Sequence, residues 1–275
     1  MWMQAWFNRL FRKRDLFVVI VGVAIMQGLV CLLINRFMFH PIKGGYDKTL
    51  DGYVDIGTNG VAVAARVLGP HKGKKAILYC HGNAEDITAI GGRFDNLVAA
   101  GYTVAAFDYP GYGLSAGSPN EEGCYRNAHR MFDWLIENRG FATNEIFVVG
   151  YSIGTGVAVE LAENREVGGL WLDAAYVSAP RILTRIRLLL IDPFPSYERI
   201  GRVTCPKVML HGTDDHIIPY SQGWKLYQCA RQPKWFFPVK EAGHTDFIDV
   251  MGQNKYEDML LRFVQTGSLK EGPRR

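Results

Sequence analysis

A serine flanked by glycines, between a buried strand and a helix, is the feature that most constrains the fold of this chain. Gly150, Ser152 and Gly154 form the pattern G-x-S-x-G. An apolar run at residues 145–149 precedes the pattern, and residues 157–162 continue it with helical character. Such a unit holds the serine hydroxyl at the tip of a sharp turn, where glycines let strand and helix approach closely. It predicts Ser152 as a candidate nucleophile, with an ordinary glycine-rich turn as the alternative.

The segments around this unit alternate between strands and helices. Strands are predicted at residues 76–80, 102–107, 145–149, 169–172, 207–210 and 234–239, and helices at residues 87–100, 121–138 and 247–264. Such alternation predicts an α/β fold with a mostly parallel sheet and helices on both faces. Two β-like runs, residues 53–57 and 61–67, flank Asn59-Gly60, which predicts an antiparallel hairpin at the leading edge of the sheet.

Reactive side chains follow the carboxyl ends of these strands, where ligands bind in open α/β sheets. His244 follows the last strand and is the candidate base, because a serine hydroxyl needs an imidazole to take its proton. A surface-loop histidine is the alternative interpretation. His81 and His211 stand beside glycines at strand ends, so we expect both to bond to backbone groups.

Three aspartates are candidates for the acid that orients this base. Asp214 and Asp215 are neighbours after the strand at residues 207–210, and Asp173 ends another strand. The acid must hold the histidine tautomer and stabilise the imidazolium ion. His216 adjoins Asp215 and cannot easily be the base that this carboxylate orients. The residues by themselves leave the choice of acid open.

Five longer blocks extend these motifs. They are YCHGNAED (residues 79–86), AAGYTVAAFDYPGYGLSAGSP (99–119), VVGYSIGTG (148–156), HGTDDHIIP (211–219) and EAGHTDF (241–247). On these blocks the chain resembles the α/β-hydrolase family, and specifically its membrane-anchored serine hydrolases with a small lid, often called ABHD-type. The resemblance runs from about residue 53 to about residue 264. One departure is Pro110, where many relatives have arginine in a stretch that is structural in the family.

The resemblance implies an α/β-hydrolase fold and assigns roles in the chain order Ser…Asp…His that this fold uses. Ser152 is then the expected nucleophile, Asp215 the acid and His244 the base. Two backbone N–H groups are expected to stabilise the oxyanion. One belongs to Ile153, directly after the nucleophile, and the other, by resemblance, to Asn83.

The expected reaction is hydrolysis of a small-molecule carboxylic ester or thioester, with an acyl or lipid-like group, through an acyl-enzyme. The only room for a lid lies between residues 172 and 207. We expect the lid at about residues 176–200, where residues 179–197 combine apolar side chains with arginines. This stretch is either a helix packed on the domain or a lid that admits an acyl chain. A serine peptidase on the same fold and a non-catalytic binding protein are the alternatives. No cofactor or metal is expected.

The N-terminal segment predicts a membrane anchor. Residues 16–34 carry no charge, and Gln27 is their one polar side chain. A helix needs about 20 such residues to cross a bilayer. The cations just before the run are Arg9, Arg12, Lys13 and Arg14. By the positive-inside rule, the basic and aromatic residues 1–15 are cytoplasmic and the catalytic domain is extracytoplasmic. A cleaved signal peptide is one alternative, but no small-residue cleavage site follows the run. A buried core helix is the other alternative.

The rest of the chain divides into a linker at residues 35–51, a hydrolase domain at residues 52–265 and a polar, frayed tail at residues 266–275. The 275 residues carry a formal net charge of +4, partly from basic residues near the termini. No basic patch interleaved with aromatic residues stands out, so nucleic acid is not an expected partner. The five cysteines lack the spacing of a metal site.

Overall fold

An eight-stranded sheet forms the centre of the computed structural model, which describes residues 13–184 and 192–269. The strands are β1 (Tyr53–Asp55), β2 (Ala64–Leu68), β3 (Ala76–Cys80), β4 (Thr103–Phe107), β5 (Ile146–Tyr151), β6 (Gly169–Asp173), β7 (Lys207–Gly212) and β8 (Lys234–Val239). Their order is β1-β2-β4-β3-β5-β6-β7-β8. β2 pairs antiparallel with β1 and β4, whereas the pairs from β4 to β8 are parallel. The predicted mostly parallel sheet is confirmed.

Helices follow most of the strands. They are α1 (Lys13–Met38), α2 (Asp95–Ala99), α3 (Glu121–Arg139), α4 (Ile153–Asn164), α5 (Ala179–Thr184), α6 (Ser196–Arg199), α7 (Tyr220–Cys229), α8 (Phe247–Met251) and α9 (Gln253–Thr266), with 3₁₀ turns at Ile87–Ile90 and Thr143–Glu145. Local chemistry sets the ends of α3. The Asn120 side chain accepts the N–H of Gly123 at its start, and Gly140 ends it with φ +71°.

The sheet carries one apolar cluster on each face, because successive side chains of a strand point to opposite sides. Leu78 and Val148 pack with residues of α3, α4 and α7. Ile77, Val149 and Trp171 pack with residues of α2 and α9. The expected helices on both faces are therefore present, and the strands are buried from both sides as in other parallel sheets.

Glycines account for the agreement and the differences between predicted and observed elements. The hairpin is confirmed, and Asn59 and Gly60 at its turn have φ +54° and +77°. The single helix predicted at residues 87–100 is wrong, because Gly91-Gly92 separate a 3₁₀ turn from α2 and Gly92 has φ +80°. The last predicted helix is divided into α8 and α9 at Gly252, which has φ +91°.

The residues before the sheet differ from the expected linker. α1 continues to Met38 instead of ending at residue 34. Residues 39–46, which we call the strap, lie on the domain, with Phe39 buried against Phe194. No helix among the described residues combines the length and apolar character needed to span a membrane. Residues 1–12, most of the basic and aromatic N-terminus, lie outside the described residues.

The lid and the tail are described in part. Residues 185–191 lie outside the described residues, and with them most of the apolar and basic side chains of the predicted lid. At its base, Arg181 pairs with Asp192 at 2.7 Å and its guanidinium lies 4.3 Å from the Tyr197 ring centroid. Leu269 is buried, so the tail stays packed to that residue rather than fraying from residue 266. Residues 270–275 are not described.

Candidate active site

Ser152 occupies a strained turn between β5 and α4. Its φ of +53° with ψ of −121° is rare for a residue with a Cβ atom. A side chain on Gly154 would collide with the carbonyl oxygen of Cys80, and one on Gly150 would approach the carbonyl oxygen of Gly154 to 2.6 Å. The two glycines therefore let the first turn of α4 lie against the end of β3, and the serine hydroxyl stays at the tip of the turn.

A histidine and an aspartate complete a hydrogen-bonded chain with this serine. His244 Nε2 lies 3.0 Å from Ser152 Oγ, and His244 Nδ1 lies 2.7 Å from Asp215 Oδ2. The Asp215 side chain is fully buried and that of His244 is 8 % exposed. The three side chains come from the loops after β5, β7 and β8, which end at the same edge of the sheet.

The environment of Asp215 favours its charged form. Burial by itself raises the pKa of this carboxyl, but hydrogen bonds from His211 and His244, together with the charge of His244, hold it well below its usual range. The N–H groups of Ile217 and Ile218 donate to Oδ1 at 2.9 and 2.7 Å. Oδ2 is thereby left facing the imidazole, which it can hold in one tautomer.

Backbone contacts hold the loop that carries Asp215 against the loop that carries His244. A Cβ on Gly212 would collide with the carbonyl oxygen of Ala242, so only glycine permits this approach. The N–H of Asp214 donates to the carbonyl oxygen of Ala242 at 2.9 Å. Next to His244, Gly243 N–H donates to the Asp246 carboxylate at 2.6 Å. The loop that carries His244 is therefore positioned by β7 as well as by its own strand.

Tyr151 is a site residue that the sequence analysis missed. Its ring centroid lies 5.4 Å from that of His244, and its hydroxyl donates to the His244 carbonyl oxygen at 3.1 Å. The guanidinium of Arg93 lies 5.1 Å from the same ring. The signal that could have pointed to Tyr151 is its position at the end of β5, directly before Ser152.

The predicted oxyanion donors lie at the two elements that meet below Ser152. Ile153 is the first residue of α4, whose N-terminal N–H groups have no partner within the helix. Asn83 follows β3 in a turn that Glu85 closes by accepting the Gly82 N–H at 2.8 Å. Glu85 is itself paired with Arg93 at 2.8 Å. These contacts bring both predicted donors to the same edge as Ser152.

The remaining candidates lie outside the chain from Ser152 through His244 to Asp215, although His211 Nε2 lies 3.5 Å from Asp215 Oδ2. Asp214 is exposed, and Asp173 is fully buried, accepting from Trp171 Nε1 at 2.8 Å and from the Tyr256 hydroxyl at 2.6 Å. Among the histidines considered from the sequence, His81 lies beside the Gly82 carbonyl oxygen, His211 lies beside the Ile218 carbonyl oxygen, and His216 is exposed. Burial lowers the pKa of His81, so its imidazole is neutral.

This arrangement has the parts needed for acyl transfer through a serine. The imidazole can take the hydroxyl proton, the carboxylate can stabilise the imidazolium ion, and backbone N–H groups can receive a developing oxyanion. A serine on a positive-φ turn after a central parallel strand, with acid and base on later strands, defines the α/β hydrolases.

The comparisons with known proteins agree with this class. A family model described as "Serine aminopeptidase, S33" matches residues 71–197. The chain belongs to the α/β-hydrolase superfamily. It is similar to α/β hydrolase domain-containing protein 17C of Homo sapiens, with 33% identity over 195 residues that cover 68% of this chain and 57% of that protein. It is also similar to α/β hydrolase domain-containing protein aho-3 of Caenorhabditis elegans, with 34% identity over 179 residues that cover 62% and 52%. The matched part spans little more than half the length of these relatives.

Solved structures share the fold at low sequence identity. The esterase domain of a Rhodothermus marinus protein superposes with a TM-score of 0.61 at 19% identity, covering 78% of this chain and 97% of that one. A Pyrococcus furiosus esterase reaches 0.67 at 17% identity and covers 82% and 98%. A monoacylglycerol lipase of Paleococcus ferrophilus reaches 0.60 at 18% identity and covers 75% and 99%. At these identities the likeness establishes the fold alone.

Proposed function

We propose that the protein is a serine hydrolase that cleaves carboxylic esters or thioesters of acyl or lipid-like compounds. The observation that carries the proposal is the hydrogen-bonded chain from Ser152 Oγ through His244 to Asp215, with distances of 3.0 and 2.7 Å. Its serine stands on a backbone turn with φ +53°. Such backbone strain costs free energy and is concentrated at functional sites. Here it presents the serine hydroxyl to a substrate carbonyl.

The reaction has two halves. Ser152 Oγ attacks the carbonyl carbon while His244 Nε2 takes its proton, and the oxyanion is stabilised by the N–H groups of Ile153 and Asn83. His244 then gives the proton to the departing alcohol or thiol, which leaves an acyl-serine. In the second half, water attacks the acyl-serine and gives a proton to His244. Collapse of this intermediate releases the acid and returns the proton to Ser152.

The acyl character of the substrate rests on two observations. Structures that share the fold include two esterases and a monoacylglycerol lipase. An apolar segment at residues 16–34 and an apolar, arginine-containing lid stretch at residues 179–197 suit a lipid-like substrate.

We expect hydrolysis of p-nitrophenyl esters to rise from the acetyl to the longer acyl chains and to fall when Leu189 and Leu190 are replaced by charged residues. A flat chain-length profile would contradict this substrate class.

A serine peptidase on the same fold is the second candidate. It is favoured by the description of the matching family model as a serine aminopeptidase, although that match ends at residue 197, before Asp215 and His244. A parallel assay of p-nitrophenyl esters, acyl thioesters and aminoacyl p-nitroanilides separates the two. Turnover of the anilides at a rate equal to or above that of the esters would favour the peptidase.

A fluorophosphonate probe tests the nucleophile directly. We expect the wild type to be labelled and the Ser152→Ala variant to lose labelling and about 10⁶-fold in kcat, as loss of an activated serine nucleophile does. Ser118→Ala is the matched control, because Ser118 is exposed on a loop. A folded wild type that is neither labelled nor active on any substrate class would favour a binding protein.

The proposed localisation has residues 16–34 as a single membrane anchor, the N-terminus in the cytoplasm and the hydrolase domain outside it. Cys229 is an exposed free thiol on the domain, whereas Cys80 and Cys124 are buried. A membrane-impermeant maleimide is therefore expected to label intact cells that express the full chain, and Cys229→Ser should remove most of the label. Labelling that requires lysis would place the domain on the cytoplasmic side.

A further inference from the structure

The strap, residues 39–46, is fixed to the hydrolase domain by both apolar and polar contacts. Phe39 is 6 % exposed, and its ring meets that of Phe194 edge-on at a centroid distance of 6.2 Å. The Ile42 carbonyl oxygen accepts the N–H of Gly113 at 2.8 Å. The Tyr46 hydroxyl donates to the Asp108 carboxylate. These contacts bring the chain that follows α1 across the edge of the sheet where Ser152 lies.

At His40 the strap reaches the turn that carries a proposed oxyanion donor. The His40 backbone N–H donates to Asn83 Oδ1 at 2.8 Å, and Asn83 Nδ2 lies 2.9 Å from His40 Nδ1. The Tyr112 hydroxyl donates to the same Asn83 oxygen at 2.6 Å. With two donors on Oδ1, the carboxamide nitrogen must face an acceptor, so the hydrogen-bond network assigns His40 Nδ1 as unprotonated.

The contacts leave the Asn83 side chain little freedom. Its carboxamide is bonded at the oxygen and at the nitrogen, and Pro41 restricts the backbone of His40 to extended conformations. On the other side of the turn, Glu85 accepts the N–H of Gly82 at 2.8 Å. The backbone between these contacts, including the N–H of Asn83, is therefore held from both ends.

We propose that the strap positions the oxyanion site, with His40 and Tyr112 holding the Asn83 carboxamide and thereby the orientation of the Asn83 N–H. The proposal rests on the proposed function, in which this N–H receives the oxyanion. His40 and Tyr112 are positioning residues, because they act through Asn83. The segment that connects α1 to the domain is then part of the catalytic apparatus, and a change in its docking alters turnover without touching Ser152, His244 or Asp215.

The test uses the full chain with His40→Ala, His40→Asn and Tyr112→Phe. Asn in place of His40 puts an amide oxygen near the position of Nδ1 and can still accept from Asn83, so it should rescue. His71→Ala is the matched control, because His71 is an exposed histidine on a loop away from the strap. Because His40 is exposed, its replacement should leave the melting temperature unchanged.

Loss of a complete oxyanion donor lowers turnover by about 10²–10³-fold, so we expect a loosened donor to lower kcat by roughly tenfold. His40→Ala and Tyr112→Phe should each show this loss with KM nearly unchanged, since ground-state binding is not affected. Binding of a trifluoromethyl ketone, which forms an oxyanion on the serine, should weaken by the same factor. His40→Asn and His71→Ala should match the wild type.

Hydrogen exchange of the amides at residues 82–86 separates this inference from the proposed function. We expect faster exchange in His40→Ala than in wild type and His40→Asn. If the wild type is active and His40→Ala keeps its kcat and ketone affinity, the inference is overturned. If the wild type has no hydrolase activity, the proposed function fails, and exchange then decides: faster exchange in His40→Ala supports positioning by the strap, and equal exchange overturns it.

Discussion

Two adjacent aspartates, Asp214 and Asp215, have opposite environments, and this contrast is the sharpest one at the scale of single residues. The carboxylate of Asp215 is fully buried, bonded to two backbone N–H groups and to His244, whereas Asp214 is exposed. The difference arises from the turn after β7, which directs the Asp215 side chain inward to the N–H groups of Ile217 and Ile218.

Replacing each aspartate by asparagine tests this contrast. In Asp215→Asn the amide can still accept the N–H groups of Ile217 and Ile218, but it presents a donor to His244 Nδ1 and favours the wrong imidazole tautomer. We expect kcat to fall by about 10⁴-fold. Asp214→Asn should keep wild-type kcat. Equal losses in the two variants would contradict the assignment of Asp215 as the acid.

At the scale of elements, the close approach of α4 to the end of β3 decides whether the turn that carries Ser152 can form. Any side chain on Gly154 meets the backbone carbonyl groups of Cys80 and His81, which cannot move without disturbing the sheet. Gly60 in the hairpin turn is the opposite case, because its φ is positive at +77° but no atom lies within 4 Å of an added Cβ. Gly154 therefore reports the steric cost of an added Cβ, and Gly60 reports the cost of a Cβ in the left-handed backbone region.

Gly154→Ala and Gly60→Ala form a matched pair of substitutions. The first should lower the free energy of unfolding by about 3 kcal/mol or more, because overpacking against backbone cannot relax as overpacking against side chains does. The second should cost about 1–2 kcal/mol, the penalty for a Cβ atom in the left-handed region. Urea unfolding measures both. A smaller loss in Gly154→Ala than in Gly60→Ala would show that α4 can shift away from β3.

At the scale of the whole molecule, buried carboxyls link stability to pH. Burial raises the pKa of Asp173 to about 7, although hydrogen bonds from Tyr256 and Trp171 and the charge of Arg93 favour the carboxylate. Burial likewise raises the pKa of Asp108 to about 7, against the hydrogen bond from Tyr46. Asp215 differs, because its depressed pKa contributes stability above the unfolded value of about 3.9, and this contribution is lost in more acidic solution.

The sign of the effect follows from proton binding. Between pH ~4 and pH ~7 the folded protein keeps protons on Asp173 and Asp108 that the unfolded chain has released, so the free energy of unfolding falls as pH rises. Each group contributes up to about 1.4 kcal/mol per pH unit. Asp173→Asn should therefore show a shallower decrease than wild type in urea unfolding across this range, whereas exposed Asp258→Asn should not. Parallel curves for wild type and Asp173→Asn would show that Asp173 stays charged when folded.

Sequence patterns predicted the elements where one local cause dominates. Alternating apolar runs located the strands from β3 to β8, and Asn59-Gly60 located the hairpin turn. These patterns failed where glycine interrupts a predicted helix, as at Gly91-Gly92 and Gly252. Glycine is tolerated inside a helix as well as at its end, so its presence did not show where the helix stops. Tyr151 and the strap were missed because their contacts join residues far apart in the chain, which leave no periodic signal.

The sequence by itself determined the turn that carries Ser152 and the class of fold. Glycines at positions 150 and 154 and the apolar runs beside them act over a few residues, so their consequences can be derived locally. The residues by themselves left the acid open and the family resemblance assigned Asp215. Only the tertiary structure decided that the Asp215 carboxylate faces His244, and what surrounds Asn83. The reason is that burial, hydrogen-bond partners and distances between loops depend on the order of the strands and on the docking of the strap. Neighbours in the chain, such as Asp214 and Asp215, can therefore lie in opposite environments.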